Sequence, residues 1–357
     1  MSRLNGWLHG VRVLDLSRYI PGPLATMLLA DMGAEVLKIE GPEGDEMQHL
    51  GPRDAAGAPI FYPAINAGKA VRRMNLKDAS ARAEFLQRVE SADVLVESFR
   101  PGVMARLGLG YDALRAVNPR LIYCALSGYG ANGPLAQAAG HDANYLALTG
   151  ILHRNAGFFD PPVCDNVGAL FAVIAILGAL QGRARDGRGC EIDMSLADSI
   201  WPLQTFQVAD YGARGYSPGP EETYLNGGAA WYQVYRTRDG ARIALGTAGD
   251  KFWERFCRAA GRPEWIARAA DPMPQRALMD DVQALIGALT LAECNERFGA
   301  ADCCYTPVLT LAQAVQSEQT HARQLVRRAS TGALQALFPA WVDEEPPAAR
   351  PPMRHAP

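Results

Sequence analysis

Short apolar runs ending in polar or glycine-bearing loops alternate with stretches of helical periodicity along the first part of the chain. Val11, Val13, Leu14 and Leu16 predict a buried strand over 11–16. Pro21-Gly22-Pro23 follows, and a proline in the first turn predicts a helix over 24–32, stopped by Gly33. The same pattern gives strands over 34–40, 92–97 and 121–126, with helices over 77–90 and 111–117 between them. This alternation predicts an α/β fold with a doubly wound, mostly parallel sheet. Such sheets bind ligands at the carboxyl ends of their strands. Here those ends carry Asp15-Leu16-Ser17-Arg18, Glu40-Gly41-Pro42, Glu97-Ser98-Phe99-Arg100-Pro101-Gly102 and Ser127-Gly128-Tyr129-Gly130. No G-x-G-x-x-G follows the first strand, so a nicotinamide dinucleotide is not indicated.

The longest apolar run, 167–180, has the length of a buried core helix and falls short of a bilayer span. Residues 191–200 read as a strand passing into a helix, and the glycine- and proline-rich stretch 212–220 as a linker. A hairpin is expected over 230–245 around Arg238-Asp239-Gly240, with helical segments to about Leu334. The expected division is a large domain over 1–200, a linker over 201–225, a smaller α+β domain over 226–325 and a C-terminal segment over 326–357. Its proline-rich end, 344–357, should be extended and weakly ordered.

At 357 residues, two domains are the natural expectation. A net charge of −3 creates no strong field, so nothing favours nucleic acid or a membrane surface as a partner. An anionic ligand must then be met by local basic residues or backbone N–H groups. Lys38, Lys69, Arg72, Arg73, Lys77 and Arg100 lie near the strand ends; singly they read as solvated surface, together they could meet nucleotide phosphates. The seven cysteines include no C-x-x-C pair, and Cys303 and Cys304 are adjacent, which suits reduced thiols in a cytoplasmic protein. The N-terminus lacks the apolar stretch of a signal peptide.

Two helix starts carry candidate chemistry. Gly140-His141-Asp142-Ala143-Asn144-Tyr145 precedes an apolar helical stretch, where Asp142 could simply cap the helix and His141 be an incidental neighbour. Asp165 opens the long apolar helix, a position that capping alone would explain. The same position also offers free N–H groups that can hold an oxyanion beside the side chain. No G-x-S-x-G elbow, H-E-x-x-H or other paired metal-ligand spacing is present, and no metal is expected.

Together these motifs resemble the class III CoA-transferase family of the CaiB/BaiF type, which also contains the α-methylacyl-CoA racemases. The landmarks run from Leu8-His9-Gly10-Val11-Arg12-Val13-Leu14-Asp15-Leu16-Ser17 through Leu29-Ala30-Asp31-Met32-Gly33-Ala34-Glu35-Val36-Leu37-Lys38-Ile39-Glu40. They continue through Glu97 to Gly102, Ser127-Gly128-Tyr129-Gly130 and Thr306-Pro307-Val308. The resemblance implies a Rossmann-like CoA-binding domain, a C-terminal segment returning to it, and an interlocked homodimer. Coenzyme A would enter as part of an acyl-CoA thioester substrate, with no tightly bound cofactor. Arg18, Lys38, Lys69, Arg72, Arg100, Gly128, Tyr129 and Gly130 are the residues assigned to it.

Gly140-His141-Asp142-Ala143-Asn144-Tyr145-Leu146-Ala147-Leu148 is similar to the racemase signature, whereas transferases of the family usually have tyrosine in place of His141. Asp165 matches an aspartate that serves racemases as a second base and transferases as a nucleophile. Racemases often carry a small-domain glutamate that orients the histidine; this chain has Gly249 at the matching position with Asp250 beside it. Either Asp250 substitutes, or the histidine is oriented differently, or the activity has diverged. The expected activity is racemisation of a 2-methylacyl-CoA by His141 and Asp165 through an enolate. The alternative is CoA transfer through an acyl anhydride on Asp165.

Overall fold

A computed structural model describes residues 3–155 and 157–356 of the chain. It divides into two compact units. The first comprises Met1–Thr149, Phe159–Thr205 and Ser317–Pro357, and the second Gly150–Phe158 and Phe206–Gln316.

The first unit is built on a parallel sheet of β1 (Arg12–Leu16), β2 (Glu35–Glu40), β3 (Ala70–Arg73), β4 (Val94–Glu97), β5 (Ile122–Ser127) and β6 (Glu191–Ser195). The order 3-2-1-4-5-6 is that of a doubly wound dinucleotide-type sheet, with its topological switch between β1 and β4. Val13 registers with Val36 on one side and Val94 on the other. Val94, Leu95 and Val96 are fully buried, as expected where helices cover both faces of parallel strands. The helix expected over 24–32 begins earlier and spans Pro21–Asp31.

The second unit carries β7 (Tyr232–Arg236), β8 (Arg242–Gly246) and β9 (Tyr305–Pro307) in an antiparallel sheet. Its hairpin turns at Gly240, whose φ of +81° suits a residue without a Cβ. Trp253, Phe256 and Phe298 stack in its core, with ring centroids 5.4 and 5.1 Å apart along the row.

Several expectations need correction. The boundary falls at Phe206, and the first half of the expected 201–225 linker is largely a helix, Thr205–Arg214. The second unit also recruits Gly150–Phe158 and ends at Gln316, not at 325. The long apolar helix extends over Val163–Asp186, so its 24 residues do reach the length of a bilayer span. Its small residues Gly168, Ala169 and Ala172 are buried within the first unit. Two strands, β10 (Val326–Arg328) and β11 (Leu334–Ala336), replace the last part of the expected helical stretch.

The proline-rich tail does not hang free. Its β12 (Arg354–His355) adds a seventh strand beside β3. The Arg350 guanidinium grips both carboxylate oxygens of Asp31 at 2.7 Å, and this pair is almost fully buried. Backbone pairing needs no apolar side chains, which is why composition missed it.

Candidate active site

His141 occupies the N-cap position of the Asp142–Leu148 helix, with extended backbone dihedrals. Its N–H donates to Asn144 Oδ1 at 3.0 Å. The preceding carbonyl, that of Gly140, accepts from the Tyr145 hydroxyl at 2.6 Å. Tyr145 in turn packs edge-on against Tyr129, with centroids 5.1 Å apart. A Cβ on Gly128 would fall 2.5 Å from the Tyr145 hydroxyl, and one on Gly140 would fall 2.6 Å from that of Tyr129. Both positions therefore require glycine, and the His141 backbone is held from both sides.

Because His141 takes the capping position, Asp142 is released from the N-cap role that helix-start chemistry alone would give it. Asp142 Oδ1 instead accepts a 3.2 Å hydrogen bond from the Asp165 N–H in the first turn of the Val163–Asp186 helix. Burial, and then the Asp142 charge, push the Asp165 carboxyl up to about 7. The structure thus brings two helix starts together, with an exposed imidazole on one and a half-buried carboxyl poised near neutrality on the other. The Tyr19 ring meets His141 edge-on, with centroids 6.3 Å apart. Asp250 stands at the first position of the Asp250–Ala259 helix in the second unit and is exposed.

A cavity of about 700 Å³ opens at the carboxyl ends of β1, β2 and β4, beside the switch point. Arg18, Lys77 and Arg106 line it, together with Phe99 and the acidic residues Glu43 and Glu46. The Arg18 guanidinium lies over the Phe99 ring at 5.3 Å and pairs with Glu46 at 2.7 Å.

The other assigned basic residues are placed differently. Lys69 is fully buried, and its ammonium donates to Asp15 at 3.1 Å, the Pro23 carbonyl at 2.8 Å and Asn66 at 3.0 Å. Its three protons are spent, so it has none for a phosphate. Lys38, equally buried, borders the cavity but donates to the Ser17 carbonyl at 2.7 Å and lies 2.8 Å from Asp45. It acts as a tie between two cavity walls. Arg72 pairs with Glu84 at 2.7 Å, and neither it nor the exposed Arg100 lines the cavity. Gly128, Tyr129 and Gly130 also lie outside it; Gly130 adopts a φ of +82°, after which the Ala131 N–H meets the Asp193 carboxylate at 2.9 Å.

Sequence reasoning missed Tyr19, Arg106 and the use of Asp142. Arg106 sits on the single-turn Val103–Arg106 helix, and no spacing rule marks it. Among the described residues, no group of three or more His, Cys, Asp or Glu side chains could hold a metal ion.

Fold and site together define an α/β protein with an imidazole–carboxyl pair at two helix starts and a large cavity at its sheet switch point. Residues 8–355 match the model of CoA-transferase family III, and the chain belongs to that family. It is 33% identical to the acetyl-CoA:oxalate CoA-transferase of Acetobacter aceti, over 91% of this chain and 86% of that one. It is 32% identical to the alpha-methylacyl-CoA racemase of Homo sapiens, over 88% of this chain and 81% of that one. A CAIB/BAIF family protein from Brucella suis has the same fold, with a TM-score of 0.85 and 28% identity over 97% and 96% of the two chains.

Proposed function

We propose that the protein is an acyl-CoA racemase that moves the α-proton of a 2-methylacyl-CoA thioester by a two-base mechanism. The observation that carries this reading is the Asp165 carboxyl, raised to about 7 and grouped with His141 at paired helix starts. A racemase needs two groups that can each give or take a proton near neutral pH. An imidazole is a common side chain for that task, and burial raises the Asp165 carboxyl to about 7. In one direction neutral His141 takes the α-proton, and the C–H electron pair enters the enolate. Protonated Asp165 then returns a proton to the opposite face; the reverse direction exchanges the two roles. Backbone N–H groups at the start of the Val163–Asp186 helix, other than that of Asp165, which donates to Asp142, supply donors for the enolate oxygen.

Coenzyme A enters as part of the substrate, with no tightly bound cofactor. Its phosphates suit Arg18, Lys77 and Arg106, and its adenine suits the cavity at the ends of β1, β2 and β4. Asp250 is kept as the acid that orients the histidine, delivered by the second subunit of a homodimer. The unpaired cysteines support a reducing, cytoplasmic setting.

The second reading is CoA transfer, favoured by the transferase named above at nearly the same identity as the racemase. There the Asp165 carboxylate attacks the thioester carbonyl, the C–S bond breaks, and CoA leaves as thiolate, leaving the acyl group on Asp165 as a mixed anhydride. Incubation with a chiral 2-methylacyl-CoA in deuterated water separates the two. The racemase takes up deuterium at the α-carbon without any acceptor, and His141→Ala and Asp165→Ala each lower turnover by ~10²–10⁴-fold. A hydroxamate trapped at Asp165 by hydroxylamine, with negligible deuterium uptake, would establish the transferase instead.

A further inference from the structure

We infer that Tyr19 is a positioning residue for His141, orienting the imidazole through a ring contact delivered by a strained turn. The inference rests on the reading of His141 as an acid–base group.

Tyr19 has a φ of +62°, a backbone conformation that a bulky side chain rarely adopts and that glycine would take without strain. Such strain persists only where the surroundings impose it, and here they do. Tyr19 lies in the turn joining β1 to the Pro21–Asp31 helix. The Ser17 N–H donates to Asp15 at 2.9 Å, and the Ser17 carbonyl accepts from Lys38 at 2.7 Å. The Arg18 N–H donates to Ser98 Oγ at 2.9 Å, and the Ile20 carbonyl accepts from the Leu24 N–H at 2.9 Å. Both sides of Tyr19 are therefore fixed, and the turn cannot relax around it.

The retained side chain is not there to fill a core, because Tyr19 is 41% exposed. No hydrogen bond is made by its hydroxyl among the described residues. What the ring does meet is His141, at 6.3 Å between centroids and 81° between planes. His141 is itself exposed, and its backbone is fixed by the hydrogen bond to Asn144. An edge-to-face neighbour favours one ring orientation over the others. Proton transfer from a carbon acid depends on that orientation, so the contact acts on turnover more than on substrate binding.

The test compares Tyr19→Gly and Tyr19→Phe by α-proton exchange kinetics and thermal unfolding. Tyr19→Gly removes both the ring and the strain. Its kcat should fall about tenfold or more with KM nearly unchanged, while its Tm stays equal or rises. Tyr19→Phe keeps the ring and should match the parent protein in kcat. A Tyr19→Gly protein with parental kcat overturns the inference, as does one that loses Tm together with activity, the mark of a structural role. Equal defects in both variants would overturn it too, by assigning the effect to the hydroxyl. His141→Ala, measured alongside, separates the levels of failure. If it retains full turnover, the reading of His141 has failed; if it collapses while Tyr19→Gly does not, only the role of Tyr19 has.

Discussion

Asp15 and Asp165 are two withdrawn aspartates in the same unit, and their surroundings drive them in opposite directions. Burial raises both. At Asp15, however, the charges of Lys69 and Lys38 and hydrogen bonds from Ser17 and Thr26 outweigh burial, and the carboxyl settles at about 2. At Asp165 the nearest charge is another carboxylate, that of Asp142, which adds to burial and leaves the group at about 7. A fully compensated buried acid is locked in one protonation state and can serve only as a structural tie. An uncompensated one can hold or release a proton at neutral pH. The difference between scaffold and chemistry lies in the partners, and depth of burial alone would have ranked the two the wrong way round.

The largest effect should come from breaking the compensated side. Lys69→Met leaves Asp15 buried beside one lysine fewer, and should cost about 3–5 kcal/mol of stability. The double variant Asp15→Asn/Lys69→Met should recover part of that loss, because no orphaned charge remains. Denaturant unfolding of both proteins checks this. A single variant as stable as the parent would mean that the buried pair is not a tie, and would reopen Lys69 as a ligand for phosphate.

A smaller effect belongs to the cavity. Lys77→Ala and Arg106→Ala should each weaken free CoA by about 1–2 kcal/mol in calorimetric titration, as expected for a lost charged hydrogen bond. Arg100→Ala and Arg72→Ala should leave the affinity unchanged, because neither residue lines the cavity. The opposite ranking would move the nucleotide away from the switch point.

The central strands were legible because parallel strands buried on both faces are written as short, mostly apolar runs, although Asp15 interrupts β1 and Lys38 interrupts β2. β3 was not, since Ala70-Val71-Arg72-Arg73 offers one buried side chain in four. β12 escaped notice because a proline-rich tail looks disordered until its backbone finds an edge to pair with. His141 and Asp165 could be found by their places at helix starts and by family likeness. Their context could not: the Asp142–Asp165 hydrogen bond and the Tyr19–His141 ring contact join residues far apart in sequence. Lys38 and Lys69 were misplaced because lysine is normally a surface residue. Their burial depends on Asp15 and Asp45 being folded against them.

The contrast between the two aspartates rests on the protonation of Asp165, which can be observed without any substrate. Carbon-13 NMR of the protein labelled at aspartate carboxyls, with Asp165→Asn to assign the resonance, follows this group through a pH titration. The expected midpoint lies at about 7, as burial and the Asp142 charge dictate, with the Asp15 signal unchanged from about pH 8 down to about 4. An Asp165 midpoint in the ordinary carboxylate range, around 4, would contradict this and remove the second base from the mechanism.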